Sequence, residues 1–340
     1  MKYTLYPFEL PFRYPFTISR KSKTTQPLLV VKLEENGLSG LGETADNSYY
    51  NMSVPRLMED INKLGDKITA CRLQEPEELW ADLFPHLHHN LFALCALDIA
   101  AWDLYAKKLG KKLFEVWELD VSHNPLTDYT IGIDTIENMV KKLTAFPWPI
   151  YKIKLGTADD VAIIRELRHH TDAVFRVDAN CAWTPQQTID LSGELASLGV
   201  EFIEQPLPAG DREGMKRVYK YSALPVIADE SCIVEDDVIH CVNLFHGINI
   251  KLTKCGGITP ALRMIARAKQ LGMKVMSGSM NESSVGTSAV AHLLPYLDYV
   301  DMDGPLLLAG DVADGVTFDN GKVLYADRPG TGAVLKSPGQ

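Results

Sequence analysis

Cysteine is sparse in this chain of 340 residues and never paired. Cys71, Cys95, Cys181, Cys232, Cys241 and Cys255 stand singly, with no Cys-x-x-Cys among them. That spacing excludes a disulfide frame and a zinc ribbon, and reduced, mostly buried thiols are expected. No apolar run approaches membrane-spanning length, so no membrane partner is expected. The opening stretch MKYTLYPFELPFRYPF interrupts its apolar residues with Pro, Glu and Arg and lacks the continuous core of a signal peptide. Basic residues are in deficit, 34 Lys and Arg against 44 Asp and Glu, for a net charge of -10. A nucleic-acid surface needs a basic face to neutralise phosphates, so the charge argues against that partner and none is expected. A small anionic substrate is not, because a metal or a local cation cluster can invert the field inside a cleft. The expectation is a soluble cytoplasmic protein with a small-molecule partner, with assembly into a homo-oligomer left open.

What is present is a change of texture along the chain. Residues 1–125 read as an α+β unit, with a strand pattern at Pro27-Leu28-Leu29-Val30-Val31-Lys32-Leu33 and a long helical pattern through NLFALCALDIAAWDLYAKKLG that stops on Gly110. From 126 to 309, short apolar runs recur, each followed by a polar turn and a helical stretch. They are YTIGI (129–133), PIYKIKL (149–155), AVFRVDA (173–179), VEFIEQP (200–206), LPVIADE (224–230), GINIKLT (247–253), MKVMSG (273–278) and LDYVDMD (297–303). Eight such units predict a β/α barrel. An open doubly wound sheet is the competitor, but no glycine-rich phosphate loop follows the first strand. Residues 310–340 are turn-rich and read as a return to the N-terminal unit.

In a barrel the active site gathers at the C-terminal ends of the strands. Those positions here hold Lys152 and Lys154, then Asp178, Glu204 and Asp229 on three successive strands, then Lys251, and finally Asp301 and Asp303. One charged strand end is unremarkable, since strands finish at a wet surface. Three successive carboxylates flanked by lysines are harder to dismiss. Carboxylates converging on one point repel unless a cation lies between them, and hard oxygen ligands suit Mg²⁺ better than zinc. Lys154 and Lys251 would lie on opposite sides of that cation. A lysine is a poor base at its free pKa of ~10.4, so Lys152, two residues from Lys154 on the same face, is expected to lower it. A substrate carboxylate beside Mg²⁺ has its neighbouring carbon acidified, and a base on each face permits inversion there. Lys254 falls beyond the strand end, leaving Lys251 as the expected acid/base group.

The ordered set KIK (152–154), VDAN (177–180), IEQP (203–206), ADES (228–231), INIKLTKCGG (248–257) and SGSMNE (277–282) resembles the enolase superfamily, specifically its muconate-lactonising subgroup. LDIAAWDLYAKKLGKKLF (97–114) resembles that family's capping-domain helix. The resemblance implies a (β/α)7β TIM-type barrel with an α+β capping domain. It also implies Mg²⁺ on Asp178, Glu204 and Asp229, and acid/base lysines at 154 and 251. VDMDGP (300–305) is similar to the Asp-x-Asp signature of dipeptide epimerases. The physical reading agrees: two carboxylates on alternate strand positions could both reach a substrate α-ammonium. Thr130, Lys152, Ser279 and Asn281 are implied as pocket residues. Arg20, with Lys21 and Lys23, is expected in a short loop suited to a side-chain carboxylate, and Tyr49 and Tyr50 in a segment that closes over substrate. The implied activity is epimerisation of dipeptides such as L-Ala-D-Glu in cell-wall peptide recycling. The alternatives are a lyase or cycloisomerase of the same subgroup, of the o-succinylbenzoate synthase or muconate cycloisomerase kind, and a non-catalytic binding protein. His292 and the LHH run (87–89) are expected to be structural.

Overall fold

The computed structural model describes residues 1–337. Its N-terminal part is built on a three-stranded antiparallel sheet, β1 (Lys2–Ile18), β2 (Lys21–Glu35) and β3 (Leu38–Ala45). The β2–β3 hairpin turns on Asn36-Gly37, both at positive φ, 53° and 81°. That is the two-residue turn whose twist matches paired strands. Against β3 lies the helix Leu91–Lys108, capped by Asn90, whose side chain accepts from the Ala93 N–H. Gly40 and Gly42 make the approach possible: a Cβ on Gly42 would lie 2.0 Å from the Ala96 carbonyl oxygen. The helix is apolar nearly all round because it is covered twice, by this sheet and by the barrel. On the barrel side Trp102 Nε1 donates to Thr259 Oγ1 at 2.9 Å, and Asp98 accepts from the Thr259 N–H and hydroxyl.

Eight parallel strands follow in chain order: β4 (Tyr129–Ile131), β5 (Ile150–Lys154), β6 (Val174–Asp178), β7 (Val200–Glu204), β8 (Val226–Ala228), β9 (Gly247–Ile250), β10 (Lys274–Gly278) and β11 (Tyr299–Asp301). Each pairs with its neighbours in sequence, and one bridge, Thr127 to Val300, joins the first strand to the last. The fold is therefore the expected TIM-type barrel with a capping domain. Inside the barrel, the lower layer pairs Arg176 with Asp128 at 2.9 Å, with the adjoining rings of Phe202 and Tyr299 both against its guanidinium. The polypeptide beyond the barrel runs back across the N-terminal sheet, burying Ala313 and Ala333 with Leu28, Val30 and Leu41.

His292 has the structural place expected of it. It is buried at the end of the helix Ser284–Ala291, its Nδ1 accepts from the Phe114 N–H, and its Nε2 faces the Thr331 carbonyl. Burial pushes it down to about 4. All six cysteines are free thiols, and no described helix is long and apolar enough to cross a membrane.

Candidate active site

The parallel register sets the charged residues side by side. Lys154 pairs with Asp178 across β5 and β6, and Asp178 with Glu204 across β6 and β7. Asp229 and Lys251 each stand one residue past the ends of β8 and β9. One oxygen from each of Asp178, Glu204 and Asp229 lies within 4.8 Å of the others, and all three residues are buried. Lys154 Nζ is 2.6 Å from Asp178 Oδ2, and Lys251 Nζ is 2.9 Å from Asp229 Oδ2. These lysines come from the second and sixth of eight strands, on opposite sides of the barrel.

The three carboxylates fit a divalent cation on grounds of donor chemistry. The set is all hard oxygen, with no His or Cys. Burial first, then the crowding by Asp178 and Asp229, pushes the Glu204 carboxyl up to about 7 even with Lys152 beside it. Glu204 Oε2 is buried with Lys152 Nζ at 2.8 Å but without an aligned hydrogen bond.

Above this cluster is a cavity of about 230 Å³. Its wall includes Lys154, Lys251, Asp229, Thr130, Ser279, Asn281, Asp301 and Arg20. Asp301 Oδ2 meets Lys152 Nζ at 2.8 Å, while its Oδ1 is buried with no hydrogen-bond partner. Burial alone would raise this carboxyl, but Lys152, Lys154 and Lys251 hold it down to about 2. It is an anion with one free oxygen at a cavity wall.

Three groups of expected residues are placed differently from the sequence reading. Asp303 does not share the strand with Asp301: β11 ends at Asp301, and Pro305 opens the short helix Gly304–Leu307. Asp303 is buried outside the cavity wall, and its Oδ2 accepts from the Thr130 N–H at 2.6 Å. Burial, then Asp301 and Asp128, raise its carboxyl well above the usual range. Lys152 also lies beneath the cavity and not on its wall. Its ammonium is 2.8 Å from Glu204, 2.8 Å from Asp301 and 3.5 Å from Asp178, so it serves these carboxylates. Finally, Arg20, Lys21 and Lys23 do not share a loop. Ser19-Arg20 is the two-residue β1–β2 turn, and Lys21 and Lys23 are in β2. Arg20 is already engaged, by Glu230 at 2.6 Å and by the Asn180 carbonyl, with its guanidinium over the Tyr49 ring.

Tyr49 and Tyr50 line the cavity on a short helical turn Ser48–Tyr50, closed by the bridge between Asn47 and Met52. Glu230, Asn180 and Met280 also line it. They were not singled out in the sequence, although each sits inside a motif quoted there. Lys254, set aside as a base, turns back into the barrel on the turn Leu252–Cys255 and holds Asp229 Oδ1 at 2.6 Å.

Similarity to known proteins agrees with this geometry. Residues 3–117 match the mandelate racemase / muconate lactonizing enzyme N-terminal domain, and residues 135–338 match the enolase C-terminal domain-like family. The chain is 56% identical over 335 residues to the L-Ala-D/L-amino acid epimerase of Flavobacterium johnsoniae, covering 98% of this chain and 100% of that protein. It is 36% identical to the L-Ala-D/L-Glu epimerase of Bacteroides thetaiotaomicron, over 98% of this chain and 88% of that one. Among solved structures, the dipeptide epimerase from Cytophaga hutchinsonii complexed with Mg and D-Ala-L-Val superposes with a TM-score of 0.94 at 25% identity, covering 100% and 97% of the two chains. The chain belongs to the mandelate racemase/muconate lactonizing enzyme family of the enolase superfamily.

Proposed function

We propose that this protein is a Mg²⁺-dependent dipeptide epimerase that inverts the α-carbon of the C-terminal residue by proton transfer between two lysines. The observation that carries the reading is a single cavity bounded by Lys154 and Lys251 from opposite strands, with the carboxylate triad between them. Asp178, Glu204 and Asp229 would hold the cation, which supplies positive charge beside the substrate carboxylate and so acidifies the adjacent carbon. Lys154 takes the α-proton from one face while Lys251 delivers one to the other, and the roles exchange in the reverse direction. Lys152 stays below and balances the carboxylates. The free Oδ1 of Asp301 accepts from the substrate α-ammonium, a charge-assisted contact that a succinylbenzoate or muconate has no group to use.

The relatives' names support this substrate class, and the Flavobacterium protein's name supports a second residue not confined to glutamate. L-Ala-D-Glu remains one candidate, and recycling of cell-wall peptide in the cytoplasm is the setting we propose for it. The test is incubation of L-Ala-D-Xaa and L-Ala-L-Xaa dipeptides with the protein and Mg²⁺ in deuterated water. Deuterium should enter the C-terminal α-position and both epimers should accumulate. N-acetylation of the same dipeptides should abolish turnover. Equal turnover of acetylated substrates would remove the ammonium contact to Asp301, and with it the main argument against the carboxylate substrates of the other subgroup members.

A further inference from the structure

Each clustered carboxylate has one oxygen tied by a fixed donor behind the site. The backbone N–H of Asn180 donates to Asp178 Oδ1 at 2.8 Å, Asn249 Nδ2 to Glu204 Oε1 at 2.9 Å, and Lys254 Nζ to Asp229 Oδ1 at 2.6 Å. The second oxygens, Asp178 Oδ2, Glu204 Oε2 and Asp229 Oδ2, are approached by Lys154, Lys152 and Lys251 at 2.6, 2.8 and 2.9 Å. Asp178 Oδ2 takes one further, longer bond from Asn180 Nδ2 at 3.2 Å.

The ties to Glu204 and Asp229 are rigid. Lys254 is fully buried, and its ammonium also donates to the carbonyls of Asp229, Cys232 and Asn249 at 2.6, 2.9 and 3.2 Å. An ammonium has three hydrogens for these four acceptors, so at least one is shared and none is left to swing elsewhere. The Asn249 amide is packed against Gly278, where a Cβ would come within 2.7 Å of it. Neither Glu204 nor Asp229 can turn both oxygens inward while these bonds persist.

We infer that Asn249 and Lys254 are positioning residues that hold Glu204 and Asp229 to one oxygen each toward a bound cation, and thereby favour Mg²⁺ over Ca²⁺. The inference rests on the divalent-cation reading given above. Mg²⁺ takes six ligands at short distance and keeps several waters, which three single oxygens accommodate. Ca²⁺ takes six to eight oxygens and gains from carboxylates that bind through both, which these ties deny.

Isothermal calorimetry on the metal-free full chain, titrated with MgCl₂ or CaCl₂ alone, tests this in the parent, Asn249→Leu and Lys254→Met. In the variants Mg²⁺ affinity should fall about 10–100-fold, the range for loss of a group that orients a metal ligand. Ca²⁺ affinity should hold or rise, shifting the preference by at least tenfold. A general loosening of the site would weaken both cations by the same factor, and that result, or unchanged affinities, overturns the inference. A parent that binds neither cation would strike down the metal reading itself. Should Lys254→Met fail to fold, Asn249→Leu decides alone, since it removes only the amide and keeps the side-chain volume.

Discussion

Lys154 and Lys251 each touch a different carboxylate of the triad, and this division gives them separable contributions. Lys154→Ala should abolish inversion in both directions while leaving Lys251 able to exchange the proton of the isomer that faces it. Lys251→Ala should show the opposite preference. Each loss should be at least ~10²–10⁴-fold, the usual contribution of one positioned acid or base. Deuterium wash-in followed isomer by isomer reads this directly, and near-parent epimerisation by either variant would require a one-base route. His292 makes a prediction of another kind. It is held neutral, at about 4 against an ordinary 6.5, chiefly by burial. The unfolded chain therefore binds this proton first as the pH drops. Stability should be fully present above pH 6.5 and fall by about 3 kcal/mol as the pH approaches 4. His292→Gln should flatten that part of the acid limb in urea titrations. An unchanged slope would mean another group carries it.

Among the elements, β3 is the one whose packing tolerates least. Gly42→Ala would drive a methyl into the backbone of the helix Leu91–Lys108. Overpacking of this order costs about 1–3 kcal/mol, and the melting temperature should drop by several degrees. The barrel strands were legible in the sequence because a short apolar run recurred once per βα unit and most of these runs carried a charge at or near the end. Lys154, Asp178 and Glu204 followed as the last residues of β5, β6 and β7. Legibility failed where the chain turns or where a partner is remote. Period-two alternation placed Asp303 on a strand that ends at Asp301, where the chain turns into the short helix Gly304–Leu307. Arg20 was expected to face a substrate carboxylate, and its partner Glu230, 210 residues away, could not be foreseen. Lys254 was judged by distance along the chain, yet a single helical turn folds it back beneath Asp229. Side-chain direction after a strand end is set by that turn, and no periodicity reports it.

At the scale of the molecule, the cavity belongs to both parts: Phe16, Ile18 and Tyr50 come from the N-terminal sheet and its loop, the lysines from the barrel. A cation at the triad should therefore stabilise the whole chain. At a hundredfold excess over its dissociation constant, Mg²⁺ should add about 2.7 kcal/mol, visible as a rise of a few degrees in thermal unfolding that chelator reverses. No rise at any Mg²⁺ concentration would mean the triad holds no cation.

The eight strands do not close with a full ladder. Between β4 and β11 there is one bridge, Thr127 to Val300, supplemented by two side-chain stitches: Thr127 Oγ1 accepts from the Met302 N–H at 3.1 Å, and Asp303 Oδ2 from the Thr130 N–H at 2.6 Å. The cylinder is thus laced, not welded, along one line, and Thr130 and Asp301 of the cavity wall are on that line. Breathing of the barrel should begin there. Amide protons of Thr130 and Met302 should exchange with solvent sooner than those at the centre of β6 or β7. A dipeptide whose ammonium rests on Asp301 would draw the lacing tight and slow them, so the enzyme's occupancy could be read from two amides without any chemistry taking place.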